Sequence, residues 1–310
     1  MTALISFWTN ATHFRGAFWK VLSFICFSGI NGIVRYLSQA SSGESLPSYE
    51  VAFFQNLFGL VFLIPWILKN GPQSLKTQRP GLQAFRIALS ALGVVLWYTA
   101  LEFMPLSQAV GLMFLGPLLT ALGAGFFLHE RIGIERGLAI AIGFFGGMLI
   151  SHGASLTLGL ETLESDLTLF LPVLAATCFS GAALMVRSLG RSDSSQLIVT
   201  YLLLFMAPIL LIPTLWNGIW PETWQWPWLL VMGGLAALAH LSLSNAYKAA
   251  EVSYLIPYGF TKWFASSLIG YVAFSEVPGA WTVSGAFLLM TAIVFLSHLE
   301  LKRRRRGIEV

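Results

Sequence analysis

Apolar residues occur along the chain in runs of 15 to 23, separated by short polar connections. A helix of about 20 apolar residues is long enough to cross the hydrocarbon core of a bilayer. The pattern therefore predicts ten membrane-spanning helices and no inserted soluble domain. Their predicted bounds are Gly16–Leu37, Tyr49–Leu68, Leu82–Phe103, Leu106–Leu128, Gly137–Ser151, Leu167–Leu189, Gln196–Leu215, Trp226–Tyr247, Val252–Phe274 and Ala280–His298.

Composition supports the same class of protein. Hydrophobic residues make up 56% of the chain and charged residues only 10%, with a mean hydropathy of +0.74. Soluble domains carry roughly 25% charged residues. We therefore expect an all-α integral membrane protein that crosses the lipid bilayer many times.

Basic residues predict how the spans are oriented. If the N-terminus is cytoplasmic, sixteen of the eighteen Lys and Arg residues fall at cytoplasmic ends, as the positive-inside rule requires. Residues 299–310, with the run KRRRR, then form a basic cytoplasmic tail. This tail accounts for much of the net charge of +4 without a nucleic-acid partner. We expect a bacterial cytoplasmic (inner) membrane protein with both termini in the cytoplasm.

Two pairs of similar segments indicate an internal repeat. CFSGINGIVRYL, starting at Cys26, shares seven of twelve positions with CFSGAALMVRSL, starting at Cys178. FLHERIG and AFSEVPG pair Glu130 with Glu276. Five predicted crossings separate the first two copies, so they run through the bilayer in opposite directions. The expected fold is two inverted five-helix repeats, an arrangement that suits alternating access to a site near the midplane.

Two longer segments carry a family resemblance: MPLSQAVGLMFLGPLLTALGAGFFLHERI and AEVSYLIPYGFTKWFASSLIGYVAFSEVPGAW. They resemble the EamA-type branch of the drug/metabolite transporter superfamily over nearly the whole chain. The resemblance implies a permease, with EamA-type repeats at 16–151 and 167–298. SYEVAFFQNLF, SLKTQRP and FLHERI are also similar to S-adenosylmethionine permeases of obligate intracellular bacteria. Those proteins usually carry an arginine where this chain has Gln55, and an acidic or neutral residue where it has Lys262.

Lys262 is the most informative candidate site residue. An ionisable side chain inside a span costs about 2.5–3.5 kcal/mol on insertion scales, and no Asp or Glu lies in a predicted span core. Tyr254, Tyr258, Lys262 and Ser266 recur every four residues, which predicts one polar stripe on a helix. Pro257 predicts a break beside that stripe. We expect the lysine to bind substrate or to take part in proton coupling.

Other spans offer further candidates. His240 is the second candidate for proton coupling, because its ordinary pKa is near 6.5. Structural packing is the alternative for each of these side chains. The predicted substrate-binding residues are Lys262, Tyr258, Tyr254, Ser266, His240, Ser244, Asn31, Trp97 and Tyr98.

A fixed positive charge favours a small substrate with a carboxylate or phosphate, such as an amino acid, another zwitterion or an organic anion. Uptake of S-adenosylmethionine or another cation is the first alternative, and a lipid flippase is the second. The spans contain no nucleophile or paired carboxylates typical of an enzyme. The chain has no phosphate-binding loop, HExxH or CxxC motif, so we expect no cofactor and no metal. A monomer and a homodimer are both compatible with the sequence.

Overall fold

The structure is a computed structural model that describes residues 2–39, 45–71, 75–119, 122, 133–158, 168–190, 192–250, 255 and 257–305. Within those ranges ten α-helices and one 3₁₀ turn have defined bounds, residues 115–119 are also helical, and no strand is present. The helices are α1 (Thr2–Ser38), α2 (Ser48–Asn70), α3 (Pro80–Phe103), α4 (Leu106–Met113), α5 (Ile134–Leu158), α6 (Phe170–Leu189), α7 (Ser195–Asn217), α8 (Trp226–Ala249), α9 (Thr261–Phe274) and α10 (Ala280–Arg305).

The predicted all-α membrane class is confirmed. Seven of the described helices are long and apolar enough to cross a membrane, and two shorter apolar helices cover Leu106–Leu119 and Phe170–Ala182. The ten α-helices follow the ten predicted spans in order. Three helices differ clearly from their predicted bounds: α1 begins at Thr2 rather than Gly16, α4 ends at Met113 rather than Leu128, and α9 begins at Thr261 rather than Val252. Pro257 has no backbone N–H, and residues Pro257–Phe260 form the 3₁₀ turn that precedes α9.

The two halves of the chain interleave instead of forming separate bundles. Among the described residues, the most extensive packing joins α5 to α10, α1 to α8, α3 to α6 and α2 to both α7 and α8. Each of these pairs takes one helix from each half. The hydrophobic core accordingly draws on both halves, from Ile30 and Trp97 to Met232 and Leu289. A motion in which the first five helices rock as one body against the last five would break this packing.

The interface between α5 and α10 depends on two glycines. A Cβ added at Gly285 would lie 2.5 Å from the carbonyl oxygen of Gly146 and 2.9 Å from the backbone nitrogen of Ile150. Both atoms belong to the backbone, so a side-chain rotation cannot make room. Small residues allow this close approach of two helices within a membrane.

We expect Gly285→Ala to destabilise the protein by about 1–3 kcal/mol, the usual cost of overpacking a tight contact. The melting temperature of detergent-purified protein is the measurement. Gly137→Ala, on α5, is the matched control, because a Cβ there meets nothing within 4 Å. Equal melting temperatures for the two variants would contradict this account of the interface.

Candidate functional site

Lys262 lies in the first turn of α9, directly after the 3₁₀ turn, and its side chain points into the bundle. The Nζ atom is 5.1 Å from the ring centre of Trp97 on α3 and 5.9 Å from that of Phe27 on α1. These distances are typical of cation–π contacts. The ammonium group makes no ion pair or hydrogen bond with any described residue. Lys262 is therefore a half-buried cation held between two aromatic rings.

Hydrogen bonds between α1 and α9 hold this lysine in place. The hydroxyl of Ser28 lies 3.0 Å from the backbone carbonyl oxygen of Lys262 and 3.0 Å from the hydroxyl of Ser266. Both serines are completely buried. Ser266 thus fixes the position of α9 from a buried contact and does not line an open surface.

Asn31 and Trp97 form a second polar contact beside the lysine. The Nε1 atom of Trp97 donates a 3.1 Å hydrogen bond to the side-chain oxygen of Asn31, and both residues are buried. The Nδ2 group of Asn31 makes no hydrogen bond to the described part of the chain. A buried amide without a partner is costly unless a ligand or water completes it. The Nδ2 group is therefore a candidate donor to a substrate or to water, although it is buried in this structure.

His240 extends the cluster along α8. Its ring contacts that of Phe27 edge to face, with 5.2 Å between the ring centres. The guanidinium of Arg86 on α3 lies close enough to act electrostatically on the imidazole. Phe27 thus links Lys262 to His240, and the site joins α1, α3, α8 and α9.

Several predicted site residues have different positions from those expected. Tyr98 is buried and donates a hydrogen bond to the side-chain oxygen of Gln55, so it joins α3 to α2. Tyr258 lies in the 3₁₀ turn, so the expected four-residue stripe does not continue along one helix. Tyr254 and the side chain of Ser244 lie outside the described residues.

Sequence reasoning missed Arg86, which it treated as a basic residue at a cytoplasmic helix end. Only 2% of this arginine is exposed. Its position one turn inside a predicted span, on the same helix face as Ser90 and Trp97, was the signal that could have identified it. A charge at that place faces protein and not water.

An ion pair closes one end of the bundle. The guanidinium of Arg35 on α1 pairs with the carboxylate of Glu276, which follows α9, and also donates to the carbonyls of Leu101 and Met104. Glu276 accepts a 3.0 Å hydrogen bond from the backbone N–H of Leu106. Burial raises the pKa of Glu276 above its ordinary value, although Arg35 and the Leu106 N–H act in the opposite direction.

A hydrogen-bond network around one carboxylate closes the other end. The carboxylate of Asp193, between α6 and α7, accepts hydrogen bonds from Thr77 at 2.6 Å, Gln83 at 3.0 Å and the Gln78 N–H at 3.4 Å. Burial alone would raise the pKa of Asp193, but these hydrogen bonds outweigh it and leave the pKa below its ordinary value. Each end of the bundle thus has a polar contact between the first and second halves of the chain.

The described residues contain no group of three or more His, Cys, Asp or Glu side chains that could hold a metal ion. What the site offers is a cation, an unpartnered amide, an imidazole and aromatic faces inside a membrane bundle. Such a set can bind a small polar or aromatic molecule by hydrogen bonds, charge and ring contacts.

Comparisons with known proteins agree with this architecture. The chain is 33% identical to a riboflavin transporter of Vibrio cholerae, covering 94% of this chain and 96% of the relative. It is 28% identical to an S-adenosylmethionine uptake transporter of Rickettsia felis, covering 95% and 96%. A solved crystal structure shares the fold with a TM-score of 0.61 at 17% identity, covering 90% of this chain and 96% of that one.

The profile of the EamA-like transporter family matches the chain twice, at residues 14–152 and 166–298. The family and the relatives are transporters, not enzymes. The chain is thus a multi-pass membrane protein that transports a small molecule, and it belongs to the EamA-like transporter family.

Proposed function

We propose that this protein carries a flavin, a flat heteroaromatic metabolite of which riboflavin is the simplest example, across the cytoplasmic membrane. The observation that carries the proposal is the position of Lys262 between the rings of Trp97 and Phe27, next to the unpartnered amide of Asn31. The relative named riboflavin transporter, at 33% identity, supports the same class of substrate.

The chemistry of a flavin matches this site. One edge of its ring system carries carbonyl oxygens that accept hydrogen bonds, which the ammonium of Lys262 and the amide N–H groups of Asn31 can donate. The flat face of the ring system suits contact with the indole of Trp97 and the ring of Phe27. The substrate would thus accept hydrogen bonds from the Lys262 ammonium and the Asn31 amide, which have no hydrogen-bond acceptor among the described residues.

The earlier alternatives fit less well. An amino acid or organic anion would pair with the charge of Lys262 but would make no ring contact with Trp97 and Phe27. S-adenosylmethionine carries a sulfonium cation, which Lys262 and Arg86 would repel, and no carboxylate among the described residues lies at the site to bind it. Lipid movement requires a lateral opening, for which the described helices supply no supporting observation.

The transport cycle we propose is alternating access between two inverted five-helix repeats with cytoplasmic termini. The packing supports this symmetry, because α1 packs on α8 while their counterparts α6 and α3 pack on each other. The moving bodies are then groups of helices drawn from both halves. Opening one end requires separation of Arg35 from Glu276. Opening the other end requires that the carboxylate of Asp193 separates from its hydrogen-bond donors in the first half of the chain. Lys262 and His240 remain the candidates for proton coupling.

Counterflow in reconstituted vesicles tests the function without assuming a direction of transport. Vesicles loaded with unlabelled riboflavin should accumulate labelled riboflavin only when they contain the protein. Excess unlabelled flavin should compete, whereas S-adenosylmethionine and amino acids should not. Counterflow of labelled S-adenosylmethionine, with no counterflow of labelled riboflavin, would overturn the proposal in favour of the cationic alternative. Repeating the assay with an imposed pH gradient shows whether uptake is coupled to protons.

A further inference from the structure

Arg86 is a buried cation that the proposed riboflavin site does not use. One Nη atom donates hydrogen bonds to the side-chain oxygen of Gln83 at 3.3 Å and to the carbonyl of Ile198 at 3.1 Å. No carboxylate of the described residues pairs with it, and its other N–H groups make no hydrogen bond to them. An ionised group without a counter-ion inside a membrane protein marks a functional site by default.

Helix geometry places Arg86 on the same face of α3 as Trp97, which contacts Lys262. Arg86, Ser90 and Trp97 lie on one face of α3, because separations of four and eleven residues are close to whole turns. Eleven residues correspond to about 16 Å along a helix axis. His240 lies near Lys262, because the rings of both His240 and Trp97 belong to the cluster around Phe27 and Lys262. The positive charge of Arg86 also acts on its imidazole.

Two cations lie along α3, Lys262 beside Trp97 and Arg86 three turns away. The carboxylate of Asp193 reaches Arg86 only through Gln83, which donates to Asp193 and accepts from Arg86. A passing group with negative charge would be stabilised by Arg86, since guanidinium binds phosphate and carboxylate with paired hydrogen bonds. The site therefore has an aromatic end and a cationic end, which suits an elongated molecule with a ring system at one end and an anion at the other.

We propose that Arg86, together with His240, forms a subsite for the anionic end of a phosphorylated substrate. Resting on the proposed flavin function, this inference extends the substrate class from riboflavin to flavin mononucleotide, in which a flexible polar chain joins the ring system to a phosphate. Lys262, Trp97 and Asn31 bind the ring system, while Arg86 and His240 bind the phosphate.

The test measures binding of both flavins to purified protein and competition between them in vesicle counterflow. Wild-type protein should bind flavin mononucleotide at least as tightly as riboflavin. Arg86→Gln should lower the ratio of mononucleotide affinity to riboflavin affinity by about 10- to 100-fold, the usual range for loss of a charged hydrogen bond. His240→Gln should lower the same ratio by a smaller factor.

Arg79→Gln is the matched control, because Arg79 is an exposed arginine directly before the same helix and its side chain donates, among the described residues, to Ser188. Its affinity ratio should equal that of the wild type. A folded Arg86→Gln variant with an unchanged ratio would overturn the inference and make Arg86 a structural link to Ile198.

If Arg86→Gln does not fold, the affinities of the wild-type protein for the two flavins test the anionic subsite instead. Riboflavin binding more than about tenfold tighter than mononucleotide binding would overturn the anionic subsite and leave riboflavin transport intact. A protein that binds neither flavin overturns the proposed function as well.

Discussion

Lys262→Ala is expected to reduce riboflavin counterflow at least about tenfold, since one hydrogen bond from a charged group contributes about 1.5–3 kcal/mol. The lysine is the only described cation in contact with Trp97 and Phe27. No other described cation can therefore replace it in the variant. The fold should persist, because its contacts with α1 are made by the lysine backbone and by Ser266. Counterflow rate and melting temperature are the two measurements.

Lys302→Ala is the matched control for this experiment, since Lys302 is exposed in the C-terminal part of α10. It should transport at the wild-type rate. Lys262→Gln, which keeps a hydrogen-bond donor without the charge, should fall between wild type and alanine. Wild-type transport by a folded Lys262→Ala variant would show that the lysine is structural.

Glu276→Gln is expected to destabilise the protein by about 3–5 kcal/mol, the usual cost of leaving a buried charge without its partner. The side chains of Arg35 and Glu276 are only 10% and 13% exposed. Arg35 would keep its bonds to the carbonyls of Leu101 and Met104 but lose its only acidic partner in the described part of the chain. The melting temperature of purified protein should fall accordingly.

A double-mutant cycle separates the ion pair from other effects of substitution. Arg35→Gln, Glu276→Gln and the double variant should give a coupling free energy above about 1 kcal/mol, because the two residues are in direct contact. Glu222→Gln is a useful control, since Glu222 lies in the segment between α7 and α8 and contacts Trp224. Additive losses in the double variant would contradict an energetic pairing at this end of the bundle.

The same ion pair bears on the transport cycle. Arg35 belongs to the first half and Glu276 to the second, so their separation is required before this end can open. Conditions that weaken the pair should therefore favour the open state at this end. Accessibility of a cysteine placed beside Arg35 to an aqueous thiol reagent would report that change.

Much of the architecture follows from local properties of the sequence. The count of ten helices follows from runs of apolar residues, because a bilayer requires a minimum length of apolar helix. The interruption before α9 follows from Pro257, which cannot donate a backbone hydrogen bond. The importance of Lys262 follows from the cost of a charge in a span. Each of these inferences depends on one segment alone.

The partners of these residues depend on contacts between distant segments. Arg35 meets Glu276 across 241 positions of the chain, and Trp97 meets Asn31 across 66. Helix periodicity identifies the residues that share a face but does not specify which neighbour that face contacts. For this reason the sequence alone places Arg86 at the cytoplasmic end of a helix and Ser266 on a substrate-binding polar stripe.

The sequence by itself determined the class, the membrane-spanning helices, the family resemblance and the unusual lysine, because hydrophobic length and intramembrane charge act within single segments. Only the tertiary structure decided that the halves interleave, that Trp97 and Phe27 flank Lys262, and that Arg86 is buried. The physical reason is that the rotation and neighbours of each helix are set by packing, which joins residues far apart in the chain.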